Sequence, residues 1–138
     1  MNAVAQSYTP REQQALDIFN RHVAAFFSGN LDAVLDDFGE YSIVFTPEGV
    51  FEGRERIRSV YQKMLAEFGT IDKGDSPGIV VEQLMVRDDT IFISWHAESM
   101  HRVFPFGTDT SVCSGDKFAR QSIAFTPPHP RGAKANGS

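Results

Sequence analysis

Residues 79–126 read IVVEQLMVRDDTIFISWHAESMHRVFPFGTDTSVCSGDKFARQSIAFT, and this stretch decides the fold. Four β-branched and aromatic runs follow one another: Ile79 to Arg87, Thr90 to about Val103, Thr108 to Ser114 and Lys117 to Thr126. Asp88-Asp89 turns the chain after the first run, and Phe104-Pro105-Phe106-Gly107 breaks the second. Ser114-Gly115-Asp116 closes a hairpin between the last two. Four consecutive strands joined this closely form an antiparallel sheet.

Upstream the period changes to helical. Thr9-Pro10-Arg11-Glu12 is a helix start: Thr9 caps, Pro10 suits the first helical position and Glu12 completes a capping box. Leu16, Phe19, Val23, Phe26 and Phe27 recur at helical spacing until Gly29. Asn30 caps a second, short helix with Leu31, Val34, Leu35 and Phe38 on its buried side, closed by Gly39. Tyr41 to Thr46 is a strand, Pro47-Glu48-Gly49 a turn and Val50-Phe51-Glu52 a return strand. Gly53 opens a third helix whose stripe is Ile57, Val60, Tyr61, Met64, Leu65 and Phe68, and Gly69 stops it. Gly69 to Gly78 is a polar loop. Helices followed by consecutive strands imply an α+β chain, a cone-shaped roll with three N-terminal helices on the concave face of a bent, mostly antiparallel sheet. The 138 residues read as a single domain with its core at about 10–126 and a loose tail over 127–138 (PPHPRGAKANGS).

Composition narrows the function. The net charge is −5, and Lys and Arg are scattered, so no nucleic-acid partner is expected. The lone Cys113 cannot form an internal disulfide, no signal peptide stands at the N-terminus, and no run has the length of a membrane span. The expectation is a cytoplasmic protein without membrane contact. Twelve Phe against one Trp and three Tyr suit a cavity lined with apolar rings, and hence a small hydrophobic molecule as partner. The sequence holds no P-loop, dinucleotide fingerprint, Gly-x-Ser-x-Gly elbow or standard metal spacing, so neither cofactor nor metal is expected.

Three stretches carry a resemblance. They are Arg21-His22-Val23-Ala24-Ala25-Phe26-Phe27-Ser28-Gly29-Asn30-Leu31-Asp32, then Gly49-Val50-Phe51-Glu52-Gly53-Arg54-Glu55-Arg56-Ile57, then Phe106-Gly107-Thr108-Asp109-Thr110 with Ser114-Gly115-Asp116-Lys117. Together with the element order over roughly 10–126, they resemble the nuclear transport factor 2-like superfamily, which includes ketosteroid isomerases, SnoaL-like polyketide cyclases and scytalone dehydratases. The resemblance implies a cone with one apolar pocket and a homodimer through the convex sheet face. Three catalytic positions of ketosteroid isomerase carry over. The general-base aspartate, before the proline after the first strand, falls on Thr46, which cannot be that base. The oxyanion-binding tyrosine of the first helix falls on His22, and the oxyanion-binding aspartic acid falls on Asp109.

Each candidate has a plainer alternative. Asp109 in TDTSV alternates with Ser111 and Cys113. On the pocket face it is a desolvated carboxyl able to donate to an oxyanion; otherwise it is a strand-edge aspartate in water. His22, between Ile18 and Phe26 at helical spacing, is either an acid–base residue or a half-buried histidine bonded to a carbonyl. His96 and Glu98 share a strand face that the family register points inward, as a proton-abstracting pair; a slip of one residue turns Trp95 and Ala97 inward instead. Tyr61 faces the pocket and reaches His22, or is a core tyrosine. Phe26, Val60, Gln121, Ile123 and Phe125 are expected to line the pocket, with Thr46 and Trp95. Cys113 reads as an apolar filler, and His129 in the tail as inert. Asp36-Asp37 and Asp88-Asp89 read as solvated end or turn charges.

The resulting expectation is a cofactor-independent isomerase, cyclase or dehydratase acting on a small hydrophobic carbonyl compound through Asp109, His22 and His96. The alternative is a non-catalytic ligand-binding or protein-interaction module of the same fold.

Overall fold

The computed structural model describes residues 7–132. Its first helix, α1, spans Pro10–Phe27, and the capping box forms: Thr9 Oγ1 accepts from the Glu12 N–H, and Glu12 Oε1 accepts from the Thr9 N–H, both at 3.1 Å. A cap of this kind is worth about 1 kcal/mol. The second Glu12 oxygen accepts from the Asp88 N–H at 2.9 Å, which ties the start of α1 to a distant strand turn.

Helix α2 is shorter than its apolar pattern suggests, Leu31–Leu35, and strand β1 (Phe38–Thr46) begins sooner. Phe38 is buried as the first residue of the strand, opposite Phe118, and not as the last position of the helix. The Gly39 N–H donates to Ser42 Oγ at 2.8 Å, so Gly39 belongs to an irregular stretch of β1 and does not end the helix. Strand β2 (Gly49–Glu52) returns along β1, and helix α3 covers Arg54–Phe68. Gly53 and Gly69 stand at the two ends of α3 with φ of 86° and 66°, a region that costs other residues about 1 kcal/mol or more.

Strands β3 (Gly78–Arg87), β4 (Thr90–Glu98), β5 (Arg102–Ser114) and β6 (Lys117–Phe125) follow. The chain turns at Ser99–His101, not at Phe104–Gly107, so FPFG lies inside β5. Two causes are visible. The fully buried Ser99 hydroxyl accepts the N–H groups of His101 and Arg102, at 3.1 and 3.0 Å, which makes the turn. Pro105, with no N–H to give, falls where the β4–β5 register shifts between Trp95 and Ala97, and there its missing donor costs little. A two-residue strand, β7 (His129–Pro130), pairs with Arg102 and Val103 of β5. The first part of the expected loose tail is therefore held, with Arg131 ion-paired to Glu98 at 2.7 Å; 133–138 lie outside the described residues.

The sheet is curved and unclosed, in the order β2-β1-β6-β5-β4-β3, with β1 and β6 parallel and its other neighbours antiparallel. One face buries Val44, Ile91, Ile93, Trp95, Ala97, Phe104, Phe118 and Ile123 against Ile18, Phe19, Phe26, Ile57, Val60 and Phe68 of the helices. This is the α+β cone that the sequence implies.

Candidate functional site

The inner face of the cone is built in rows across β4, β5 and β6. Ile93, Asp109 and Ile123 form one row, Trp95, Gly107 and Phe125 the next, and Ile91, Ser111 and Gln121 the row on the other side. Asp109 therefore stands among apolar neighbours on the concave side. It keeps part of its residue surface, yet its carboxyl is enclosed closely enough that burial raises its pKa to about 6, against the smaller lowering effect of a hydrogen bond from Trp95. That bond, Trp95 Nε1–H to Asp109 Oδ1, measures 2.9 Å. Gly107 makes room for it: the indole ring lies directly over Gly107, and any Cβ there would collide with the ring.

A second polar group fills the opposite side. The His22 ring sits with Nδ1 3.1 Å from Asp37 Oδ2 and Nε2 3.1 Å from the Tyr61 hydroxyl. Tyr61 donates to Gln121 Oε1 at 2.6 Å, and Arg21 Nε donates to Asp37 Oδ1 at 2.7 Å. His22, Asp37, Tyr61 and Gln121 are all buried. Burial first, then the negative charges of Asp109 and Asp37, hold the Tyr61 phenol far above its ordinary pKa, against the lowering effect of the Gln121 bond. An arc of rings joins the two polar groups: Tyr61, Phe26, Phe68, Phe104, Phe125 and Trp95 follow one another at centroid distances of 5.5 to 6.4 Å.

The structure thus gathers His22, Tyr61, Phe26, Val60, Gln121, Asp109, Trp95, Ile123 and Phe125 on the inner side of the sheet and its helices. Thr46 is at the rim, two residues past the buried Val44, and its hydroxyl accepts from the Glu48 N–H at 3.0 Å within the turn. His96 is a correction. It points to the outer face and meets Glu82 at 3.0 Å, with 45% of its side chain exposed. The inward residues of β4 are Ile91, Ile93, Trp95 and Ala97, because those positions are apolar and bury together. Glu98 shares the outer parity and pairs with Arg131, so the expected His96–Glu98 pair does not form.

Asp37 is the residue that sequence reasoning missed. It is fully buried and central, not a solvated end charge. No local pattern marks it, because its burial rests on Arg21 and His22 of α1. Asp36, by contrast, is exposed, with its carboxylate 3.3 Å from Arg54. Cys113 is a buried free thiol whose pKa burial, with help from Asp89, pushes up to about 11, so it is a filler and not a nucleophile. Among the described residues no group of three His, Cys, Asp or Glu side chains could hold a metal ion, and no helix is long and apolar enough to cross a membrane. Two surface clefts, of about 230 Å³ beside Arg11 and Cys113 and about 440 Å³ beside Leu84 and Phe92, involve none of the expected lining residues.

An α+β cone with a bent sheet and helices on its concave side defines the class, and known structures match it. An NTF2-like protein of unknown function from Burkholderia xenovorans LB400 superposes with a TM-score of 0.68 at 15% identity, covering 94% of this chain and 95% of that one. A provisionally assigned SnoaL-like polyketide cyclase from Jannaschia sp. CCS1 gives 0.68 at 11% identity, over 88% and 91%. A provisionally assigned ketosteroid isomerase from Kribbella flavida DSM 17836 gives 0.65 at 11%, over 89% and 87%. The chain has the NTF2-like fold. No protein-family profile matches the sequence, and no curated protein matches it.

Proposed function

We propose that this chain is a cofactor-independent proton-transfer enzyme, of the isomerase, cyclase or dehydratase type, acting on a small hydrophobic carbonyl compound at the inner face of the cone. The observation that carries this reading is Asp109, an enclosed carboxyl with a pKa of about 6 in an aromatic setting. In its protonated form it donates a hydrogen bond to a developing oxyanion in a dry site, where such donors have their largest effect. (The oxyanion-hole aspartic acid of ketosteroid isomerase is the standard instance of the principle.) The rings of Trp95, Phe104 and Phe125 would hold the carbon skeleton. With a threonine at position 46 the proton acceptor must be another group, so steroid isomerisation by the usual route is not the chemistry proposed.

The test is a screen of carbonyl substrates with the parent, Asp109→Asn and His22→Phe. Asp109→Asn should lower turnover by about 10²-fold or more. Unaltered turnover in both variants would remove these roles. Thr46 favours the second reading, a binding module of the same fold, which tight binding of an apolar ligand recovered unchanged would support. We further propose a cytoplasmic homodimer through the outer sheet face, where Val80 and Met85 are half exposed. Light scattering showing only monomer at micromolar concentration would refute the dimer.

A further inference from the structure

With Asp37 ionised against Arg21 and the Gln121 amide oxygen turned to the phenol, the hydrogen-bond chain through His22 has one consistent proton arrangement. Asp37 is fully buried, and Arg21 donates to its Oδ1. An ionised carboxylate accepts and cannot donate, so the proton in the contact between Asp37 Oδ2 and His22 Nδ1 sits on the histidine. Tyr61 carries a single proton, and burial and the nearby carboxylates keep it on the phenol. That proton is given to Gln121 Oε1. The phenol oxygen therefore faces His22 Nε2 as an acceptor, and Nε2 must carry a proton as well.

We propose that Asp37 is a positioning residue that holds His22 as an imidazolium, donating from Nδ1 to Asp37 and from Nε2 to Tyr61, so that the Tyr61 proton is aimed away from the helices and into the cone. The surroundings fit a held cation. On α1 itself Arg21 lies to the outer side, its side chain 52% exposed and also reaching the Asp116 carbonyl at 3.0 Å. From β1 and β6, Phe38 and Phe118 meet the imidazole edge to face, at 5.7 and 5.0 Å between centroids. From α3 comes Tyr61, from β6 also Gln121, and from β5 the charge of Asp109 acts on the Tyr61 phenol. Among the described residues Asp37 is the one carboxylate bonded to the ring.

In the carbonyl chemistry proposed above, a substrate oxygen would replace Gln121 Oε1 as the acceptor of the phenol proton. A substrate carbonyl that displaces it meets a phenol polarised by the cation behind it and lies one row from Asp109 on the neighbouring strand. This last consequence rests on the carbonyl chemistry proposed above; the proton arrangement does not.

The experiment is a long-range ¹H–¹⁵N correlation of the His22 ring in the ¹⁵N-labelled full chain near neutral pH, in the absence of any substrate. Both ring nitrogens should give the protonated signature. Asp37→Asn should convert one nitrogen to the bare, pyridine-like signature, whereas Arg21→Gln, which leaves the carboxylate in place, should keep both protonated. Tyr61→Phe should shift the Nε2 signal alone. A parent ring with one protonated and one bare nitrogen would overturn the proposal, since it means that the Gln121 amide is turned round and the phenol proton points at His22. Equal proton loss in Asp37→Asn and Arg21→Gln would overturn it too. Should Asp37→Asn fail to fold, the parent spectrum and Arg21→Gln still decide. Absence of turnover with the doubly protonated ring present would count against the enzyme reading alone.

Discussion

The two polar groups inside the cone are built on opposite terms. Around His22 every partner is paired: Arg21, Asp37, Tyr61 and Gln121 form one continuous chain of hydrogen bonds. The Asp109 carboxyl, among the described residues, has a single hydrogen bond, from Trp95, and a raised pKa. A satisfied buried network fixes a structure, while an under-supported carboxyl is a group left poised to exchange a proton. The first group therefore ties α1, α3 and the sheet together, and the second is the group on which the proposed chemistry rests.

The contrast can be broken from either side. The largest effect should come from Asp37→Ala, which leaves Arg21 and His22 without their buried counter-charge. A loss of about 3–5 kcal/mol is expected, read as a lower urea midpoint. Next comes Tyr61→Phe, which strips an acceptor from His22 and a donor from Gln121 in a dry interior. It should cost about 1–3 kcal/mol by the same measurement.

Asp109→Asn should act in the other direction. The folded state holds the Asp109 proton to about pH 6 against an ordinary value of 3.8. Below the ordinary value the residue is protonated whether the chain is folded or not and costs nothing. As pH rises through the window between the two, the unfolded chain ionises first, and stability is lost until about pH 6 is passed. Discounted for its partial exposure, the penalty at neutral pH is about 1–2 kcal/mol. The asparagine variant should therefore be more stable than the parent near neutrality and lose that advantage in acid. A variant less stable than the parent at neutral pH would make Asp109 an ordinary structural carboxylate. The smallest effect should be that of His96→Ala. Its exposed pair with Glu82 contributes no more than about 0.5 kcal/mol, and turnover of any substrate found should not change.

The elements of this fold were legible where local chemistry decides them. Thr9 and Glu12 box the first helix, Gly69 ends the third, and Ser114-Gly115-Asp116 turns the last hairpin. The His22–Tyr61 contact was legible as well, from helical spacing combined with the family resemblance. Phe104–Gly107 misled because proline and glycine usually end strands, while the turn was made by Ser99, a residue with no such reputation. In β4 the alternation itself held the answer: Ile91, Ile93, Trp95 and Ala97 are apolar throughout, whereas the even positions end in His96 and Glu98. The family register points the other way; the extra residue of the register shift opposite Trp95–Ala97 lies in β5, so the alternation of β4 runs unbroken and sets which side chains point inward. Asp37 was hidden for a different reason. Its burial depends on a charge from α1 and an imidazole fifteen positions away, which no local pattern records.

The most direct test of this account is a carboxyl-carbon NMR titration of Asp109 in the folded chain, with the Trp95 indole N–H followed in the same samples. A midpoint near pH 6, shared by the indole signal, is the expected result. A midpoint at the ordinary aspartate value, with an indole signal that does not respond, would contradict it.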